Sequence, residues 1–379
     1  MESANIETLD TEHLDFVHDI SFDHFGKRIA TCSSDQTIKI WQKTSSGRWV
    51  KACSFQAHDA TIFKVKWAHP DHGSILASCS YDKTVVIWEE KKKSAPLKQN
   101  QLSTIGEEDE NSVVFIQRIK LVDGKESIED IKFGPKHLNL MIASASADGY
   151  LRIYEAPDLI NLTQWKLTYE IQVNSLGINT ISWNKNPFDP PMIIVGTKDA
   201  ETSFMNKNVM KVQYLDNATQ VSNENVLVPL NEDKMLSIYC CKENRWSLLK
   251  ELKTDKCRHT TAVNDVSWAL LNGRSYHMIA SCGSEGVFIW YVKFEDDGKN
   301  VKMDVLDCQV IKEKMTIWKV SWNVMATLLA FSGQDRKVRI CKCGYDKKWM
   351  IASEFEEEEV EEEGPRKGPF GVEKKSGLF

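Results

Sequence analysis

Apolar and polar residues alternate along this chain in short runs bounded by turn residues, as in Thr37-Ile38-Lys39-Ile40-Trp41 and Thr84-Val85-Val86-Ile87-Trp88. A period of two, rich in β-branched and aromatic residues, predicts β-strands, because successive side chains of an extended chain point to opposite faces. The strands recur within a larger pattern. A segment ending in Ile/Val-x-Trp/Phe is followed by a polar loop, a short apolar strand ending near Ser, an acidic residue, and an alternating strand ending in an aromatic. The first-strand aromatics are Phe22, Trp67, Phe133, Trp183, Trp268 and Trp322, and the acids that follow are Asp35, Asp82, Asp148, Asp199, Glu285 and Asp335. Their separations run only from 13 to 17 residues, while the spacing between units varies more. A fixed internal offset with variable spacing describes one supersecondary module repeated six times with loop insertions.

A module of roughly 40 to 50 residues with four strands cannot bury its own faces, so copies must stack, and the size and pattern fit a blade of a WD-repeat β-propeller. A single large β-sandwich does not explain six copies in register. The expected fold class is therefore all-β, a six-bladed propeller over 12–356, with units at 12–56, 57–105, 112–173, 174–253, 257–312 and 313–356. Residues 1–11 form a polar N-terminal segment, and 200–233 form a long Asn-, Glu- and Thr-rich excursion in unit four. Eight Glu fall between Glu354 and Glu363, so 357–379 is expected to be an acidic disordered tail.

Composition narrows the function. At 42% hydrophobic and 27% charged residues the chain has the makings of a core, unlike an intrinsically disordered sequence. No apolar run approaches the roughly 18 to 20 residues of a membrane span, and the polar, acidic start lacks the pattern of a secretory signal, which predicts an intracellular protein. The ten cysteines are scattered singly through β-rich segments such as those of Cys32, Cys79 and Cys282, a pattern of reduced buried thiols. A formal net charge of -6 argues against a nucleic-acid surface as the main binding face.

Counting back nine residues from the first-strand aromatic gives His13, His58 and His259 in units one, two and five. The WD-repeat likeness implies a hydrogen-bonded tetrad of His13, Thr31, Asp35 and Trp41 in unit one, and of His58, Ser78, Asp82 and Trp88 in unit two. Buried Asp and His need partners, and a chained network supplies them within one blade. Because these sets repeat from blade to blade, they read as structural. Unit three has Gly124 at the His position, and unit six has Glu313, Phe331 and Cys341 at the His, Ser/Thr and Trp positions, so both are expected to depend more on packing. No Gly-rich phosphate loop, His-Glu-x-x-His or Gly-x-Ser-x-Gly is present, and the close pairs Cys240-Cys241 and Cys341/Cys343 lack a second pair at zinc-ligand spacing. The chain is expected to be no enzyme, without metal or cofactor.

Closed WD propellers commonly borrow an N-terminal strand to finish the last blade. Here His13 opens unit one after a mostly polar lead, and unit six holds its own fourth strand through Trp349 to Phe355. The ring is expected to stand open, with unpaired edges that a second chain can cover by adding strands; the alternative is a six-bladed ring that closes by packing alone. From this topology Phe16, Val17 and Ile20 on unit one, and Ile317, Trp318 and Val320 on unit six, are the expected partner contacts.

Two stretches in unit one, Leu14 to Ile20 and Gly26 to Trp41, with Trp67-Ala68-His69-Pro70 and Leu76 to Asp82 in unit two, resemble two sister propeller families, the Seh-type nucleoporins and the Sec-thirteen subunit of the COPII vesicle coat. Unit three separates them. Phe133-Gly134-Pro135-Lys136-His137-Leu138, Ser146-Ala147-Asp148-Gly149 and Arg152 to Asp158 resemble the Seh-type nucleoporins, as does Trp318 to Asn323. The resemblance implies an open six-bladed propeller in the Y-shaped scaffold of the nuclear pore complex at the nuclear envelope, supporting mRNA and protein transport. It implies that a helical-solenoid nucleoporin completes the ring with a blade of its own. It also implies a second role in the GATOR complex, the SEA complex of fungi, at lysosomal or vacuolar membranes. No direct nucleic-acid contact or membrane insertion is expected. Two other readings compete: a COPII-type coat subunit, and a WD-repeat module recognising a histone tail or degron.

Overall fold

The computed structural model describes residues 8–92, 113–199, 235–243, 245–254, 257–297 and 301–356. The N-terminal seven residues, the 200–233 excursion, the 357–379 tail and residues 93–112, where units two and three meet, lie outside them. The described residues form six four-stranded antiparallel sheets, and in each the four strands are neighbours in chain order. The chain is an all-β six-bladed propeller, and among the described residues no blade takes a strand from elsewhere in the sequence. The blades span 17–56, 62–121, 128–172, 178–251, 263–311 and 317–355.

The acidic turn residues explain why strand three follows strand two so tightly. In blade one Asp35 Oδ1 accepts from Thr37 N at 2.9 Å, in blade two Asp82 Oδ1 from Thr84 N at 3.0 Å, and in blade three Asp148 Oδ1 from Tyr150 N at 3.0 Å. Each carboxylate mimics the missing turn carbonyl. The residue after the acid takes a left-handed conformation in these turns, and at Gly149, φ 83°, an added Cβ would lie 1.9 Å from the Asn174 carbonyl oxygen, so only glycine fits.

One boundary differs from the sequence expectation. The fourth strand of blade two is Val113–Leu121, paired with Val85–Lys92, so the excursion after Lys92 interrupts blade two and does not separate it from unit three. The unit-four excursion likewise leaves its blade intact, since Met192–Thr197 and Leu236–Lys242 on either side of it are paired neighbours.

The core is five apolar clusters, each joining consecutive blades: one and two, two and three, three and four, four and five, five and six. Among the described residues no such cluster joins blade six to blade one. All ten cysteines are unpaired, and burial pushes the Cys32, Cys79 and Cys282 thiols far up from their ordinary range.

Candidate partner interface

Each blade presents its innermost strand to the central axis: Val17–Phe22, Ile62–Trp67, Ile128–Phe133, Ile178–Trp183, Val263–Trp268 and Ile317–Trp322. All six have the same length, so they align position by position. Positions one and four are aliphatic throughout, and their side chains pack back against the preceding blade. In blades two to six they are at most 4% exposed, whereas Val17 and Ile20 of blade one are 38% and 53% exposed. Among the described residues no apolar cluster packs behind blade one. Leu14, Phe16 and Phe22 are exposed on the same blade, making an apolar surface.

Blade six, at the other end of the series, shows the same exposure. In blades one to five the alternate residues of strand three that face the next blade are buried: Ile38 and Ile40, Val85 and Ile87, Leu151 and Ile153, Leu236 and Ile238, Val287 and Ile289. In blade six the matching Val338 is exposed and Ile340 is half-buried. Phe16, Val17, Ile20 and Trp318 therefore lie on the uncovered surface. Ile317 and Val320 do not: both are buried against Met278, Ala280 and Ile289 of blade five. The topology placed them on an edge strand, but their positions point them backward; of the three, Trp318 stands at position two, where Asn179 and Asn264 reach forward to the following blade.

The structure brings the tetrad residues together. A carboxylate only accepts, so His13 Nδ1–H donates to Asp35 Oδ2 at 2.8 Å, Nε2 accepts from the Thr31 hydroxyl at 2.9 Å, and Trp41 Nε1–H donates to Thr31 Oγ1 at 3.2 Å. The same chain in blade two runs His58 to Asp82 at 2.9 Å, Ser78 to His58 at 2.8 Å and Trp88 to Ser78 at 3.0 Å. Burial opposes ionisation of Asp35 and Asp82, but bonds from the His and the neighbouring Thr outweigh it and hold both carboxyls well below their ordinary range. Blade five keeps Ser281 to His259 at 2.7 Å, but Glu285 is 3.8 Å from Nδ1, which is left buried without a partner. Burial lowers that imidazole to about 3.

Blades three and six replace the tetrad with an ion pair that the sequence reading missed. Arg152, wholly buried, forks onto Asp148 at 2.8 and 3.3 Å, and Arg339 pairs with Asp335. The signal was Asp-x-x-x-Arg, in which the turn acid is followed four residues later by an Arg at the middle of strand three. At Gly124 a Cβ would lie 2.7 Å from both Lys83 O and Ile128 Cδ1, so no histidine fits in blade three. No group of three or more His, Cys, Asp or Glu side chains that could hold a metal ion comes together among the described residues, and no described helix is long and apolar enough to cross a membrane.

Repeated four-stranded blades, turn acids and His-Ser/Thr-Trp networks define a WD-repeat propeller. The WD domain, G-beta repeat family matches residues 5–42 and 49–89. Over 344 residues the chain is 35% identical to nucleoporin SEH1 of Osmerus mordax, covering 89% of this chain and 83% of that one. It is 35% identical over 346 residues to human nucleoporin SEH1, with 89% and 84% covered, and 34% identical over 355 residues to the Drosophila melanogaster protein, with 92% and 87% covered. The chain belongs to the nucleoporin SEH1 family.

Proposed function

We propose that this protein is a non-enzymatic structural subunit of the nuclear pore scaffold, and that its uncovered face between blades six and one receives a blade from a helical-solenoid nucleoporin. The observation that carries the reading is the exposure of Val17 and Ile20 at positions buried in every other blade. An apolar strand face of this size, written in the same residues as five buried ones, is one that another chain covers. The His-Asp-Ser/Thr sets have no catalytic part in this reading, because their hydrogen bonds are spent inside the blades. The same face serves either assembly implied by the resemblance, the Y-shaped pore complex or the GATOR/SEA complex, and the two differ in which partner supplies the blade. The nucleoporin relatives favour the pore over a vesicle coat or a histone-tail reader.

The test is affinity purification of the tagged chain from its own cells, with mass spectrometry of stoichiometric companions, for wild type and for Ile20→Asp. Loss of a helical nucleoporin in the variant, with an unchanged melting temperature of the isolated chain, supports the reading. Retention of every companion by Ile20→Asp overturns it.

A further inference from the structure

The third position of the innermost strands carries a charge in five of the six blades, Asp19, Lys64, Asp130, Asp265 and Lys319, with Thr180 in blade four. Each Asp clasps the blade that follows. Asp19 Oδ2 accepts from Val65 N at 3.2 Å, Asp130 Oδ2 from Ile181 N at 3.0 Å, and Asp265 Oδ2 from Val320 N at 3.2 Å. The bonded amide is always that of position four, which faces away from its own strand two.

The clasp follows blades one, three and five; blades two and four carry Lys64 and Thr180 at this position, with Ile131 N bonded instead to Asp130 Oδ1 of its own strand at 2.9 Å, and blade one receives no clasp from blade six. Asp23 N bonds Arg28 O, so the ladder of blade one runs through every second residue and the Ile20 N–H, at position four, points away from strand two. Blade six, the blade before it in the ring, offers Lys319, which has no acceptor. Among the described residues the charges around the axis are also out of balance. Lys66 is 2.5 Å from Asp19 and Lys132 is 3.8 Å from Asp130, and with Lys64 and Lys319 they make four cations against Asp19, Asp130 and Asp265. The neighbouring Glu129 and Lys198 already pair at 2.8 Å. Lys64 and Lys319 come within reach of each other and share the field of Asp19 and Asp265. Burial and Lys64 bring the Lys319 ammonium down to about 8, although Asp265 and Asp19 pull the other way.

We infer that the strand a partner inserts between blades six and one carries an Asp or Glu at its third position, whose carboxylate accepts from Ile20 N–H and pairs with Lys319. The inference rests on the open-gap reading above and specifies the partner's chemistry. Position in the repeat supplies the register, the unclasped amide supplies the donor, and the surplus cation supplies the charge. Covering a surplus buried cation without an anion is strongly unfavourable, so an apolar or basic residue at that position is a poor fit.

The test uses the native complex purified through a tag on this chain, comparing wild type, Lys319→Met, Lys319→Glu and Ile20→Asp for dissociation rate and for melting temperature of the isolated chain. The carboxylate inference expects Lys319→Glu to weaken the complex at least tenfold, with Lys319→Met intermediate. It also expects that replacing the partner's facing acid by Lys restores binding to Lys319→Glu. If Ile20→Asp disrupts the complex while Lys319→Glu binds as tightly as wild type, or if replacing the partner's acids by Lys one at a time never restores binding to Lys319→Glu, the inference falls and the open-gap reading stands. If Ile20→Asp leaves the complex intact, the open-gap reading falls, and the inference with it.

Discussion

Ile20 and Ile181 occupy the same position of two innermost strands, one four residues into blade one and the other four residues into blade four. Ile181 is wholly buried against blade three, while Ile20 is more than half exposed. The backbone, register and side chain are alike, so the difference comes only from what lies behind the strand. Local sequence writes the same apolar face six times, and the ring covers it five times. A side chain that is core by pattern and surface by context marks the face that the proposed partner blade would cover.

The largest expected effect separates these two isoleucines. Ile181→Ala should cost about 3 kcal/mol through lost burial and the cavity left behind, whereas Ile20→Ala should change the isolated chain by no more than about 0.5 kcal/mol. Urea unfolding midpoints at constant slope provide the measurement. Equal losses would mean that blade one is already covered and would break the comparison.

The hydrogen-bond networks differ in the same way between a closed set and an open one. Asp82→Ala removes the acceptor from His58, Thr84 and the backbone of blade two and should cost about 2 kcal/mol. Glu285→Ala in blade five, where the acid stands 3.8 Å from His259 Nδ1 and accepts only from the exposed Thr260, should cost under about 1 kcal/mol. Thermal unfolding of both variants orders them.

His259 sharpens this contrast through pH. Its folded pKa is depressed by burial to about 3, below its ordinary value of 6.5, so the unfolded chain binds the proton first as pH falls. The stability held by the neutral ring is fully present above pH 6.5 and is lost progressively below it, by about 1 kcal/mol between pH 6.5 and 5.5. The depressed Asp35 and Asp82 act in a lower window, below the ordinary carboxylate range, and do not confuse the measurement. Stability measured at the two pH values for wild type and His259→Gln should show the extra loss in the wild type alone.

The parts of the molecule legible in the sequence are those fixed by local chemistry. Turn acids, β-branched alternation and the nine-residue offset from His to aromatic all act within one blade, and they place the strands and bring His13, Asp35, Thr31 and Trp41 together. Three features were not legible. The fourth strand of blade two follows a long excursion, and no local signal ties Val113–Leu121 back to Val85–Lys92. Arg152 and Arg339 replace a neutral network with an ion pair, a substitution of mechanism that a search for matching residue types passes over. Ile317 and Val320 belong to an edge strand but face inward, because strand parity, and not membership of the edge, decides which side chains a partner can touch.

The smallest expected effect returns to the gap through one indole. Trp67, Trp183 and Trp322 end their innermost strands and donate Nε1–H to a carbonyl of the preceding blade, Ser21 O at 3.1 Å, Lys132 O at 3.1 Å and Ser267 O at 3.0 Å. Blade one carries Phe22 at this position, exposed and with no N–H to give. Trp322→Phe should cost about 1 kcal/mol, the net worth of one hydrogen bond whose acceptor is left in a partly buried junction. Phe22→Trp should gain nothing in the isolated chain, because no blade stands behind it to accept, and calorimetric melting of the two variants beside wild type reads the difference. A gain in Phe22→Trp comparable to the loss in Trp322→Phe would place a carbonyl behind blade one and close the ring without a partner.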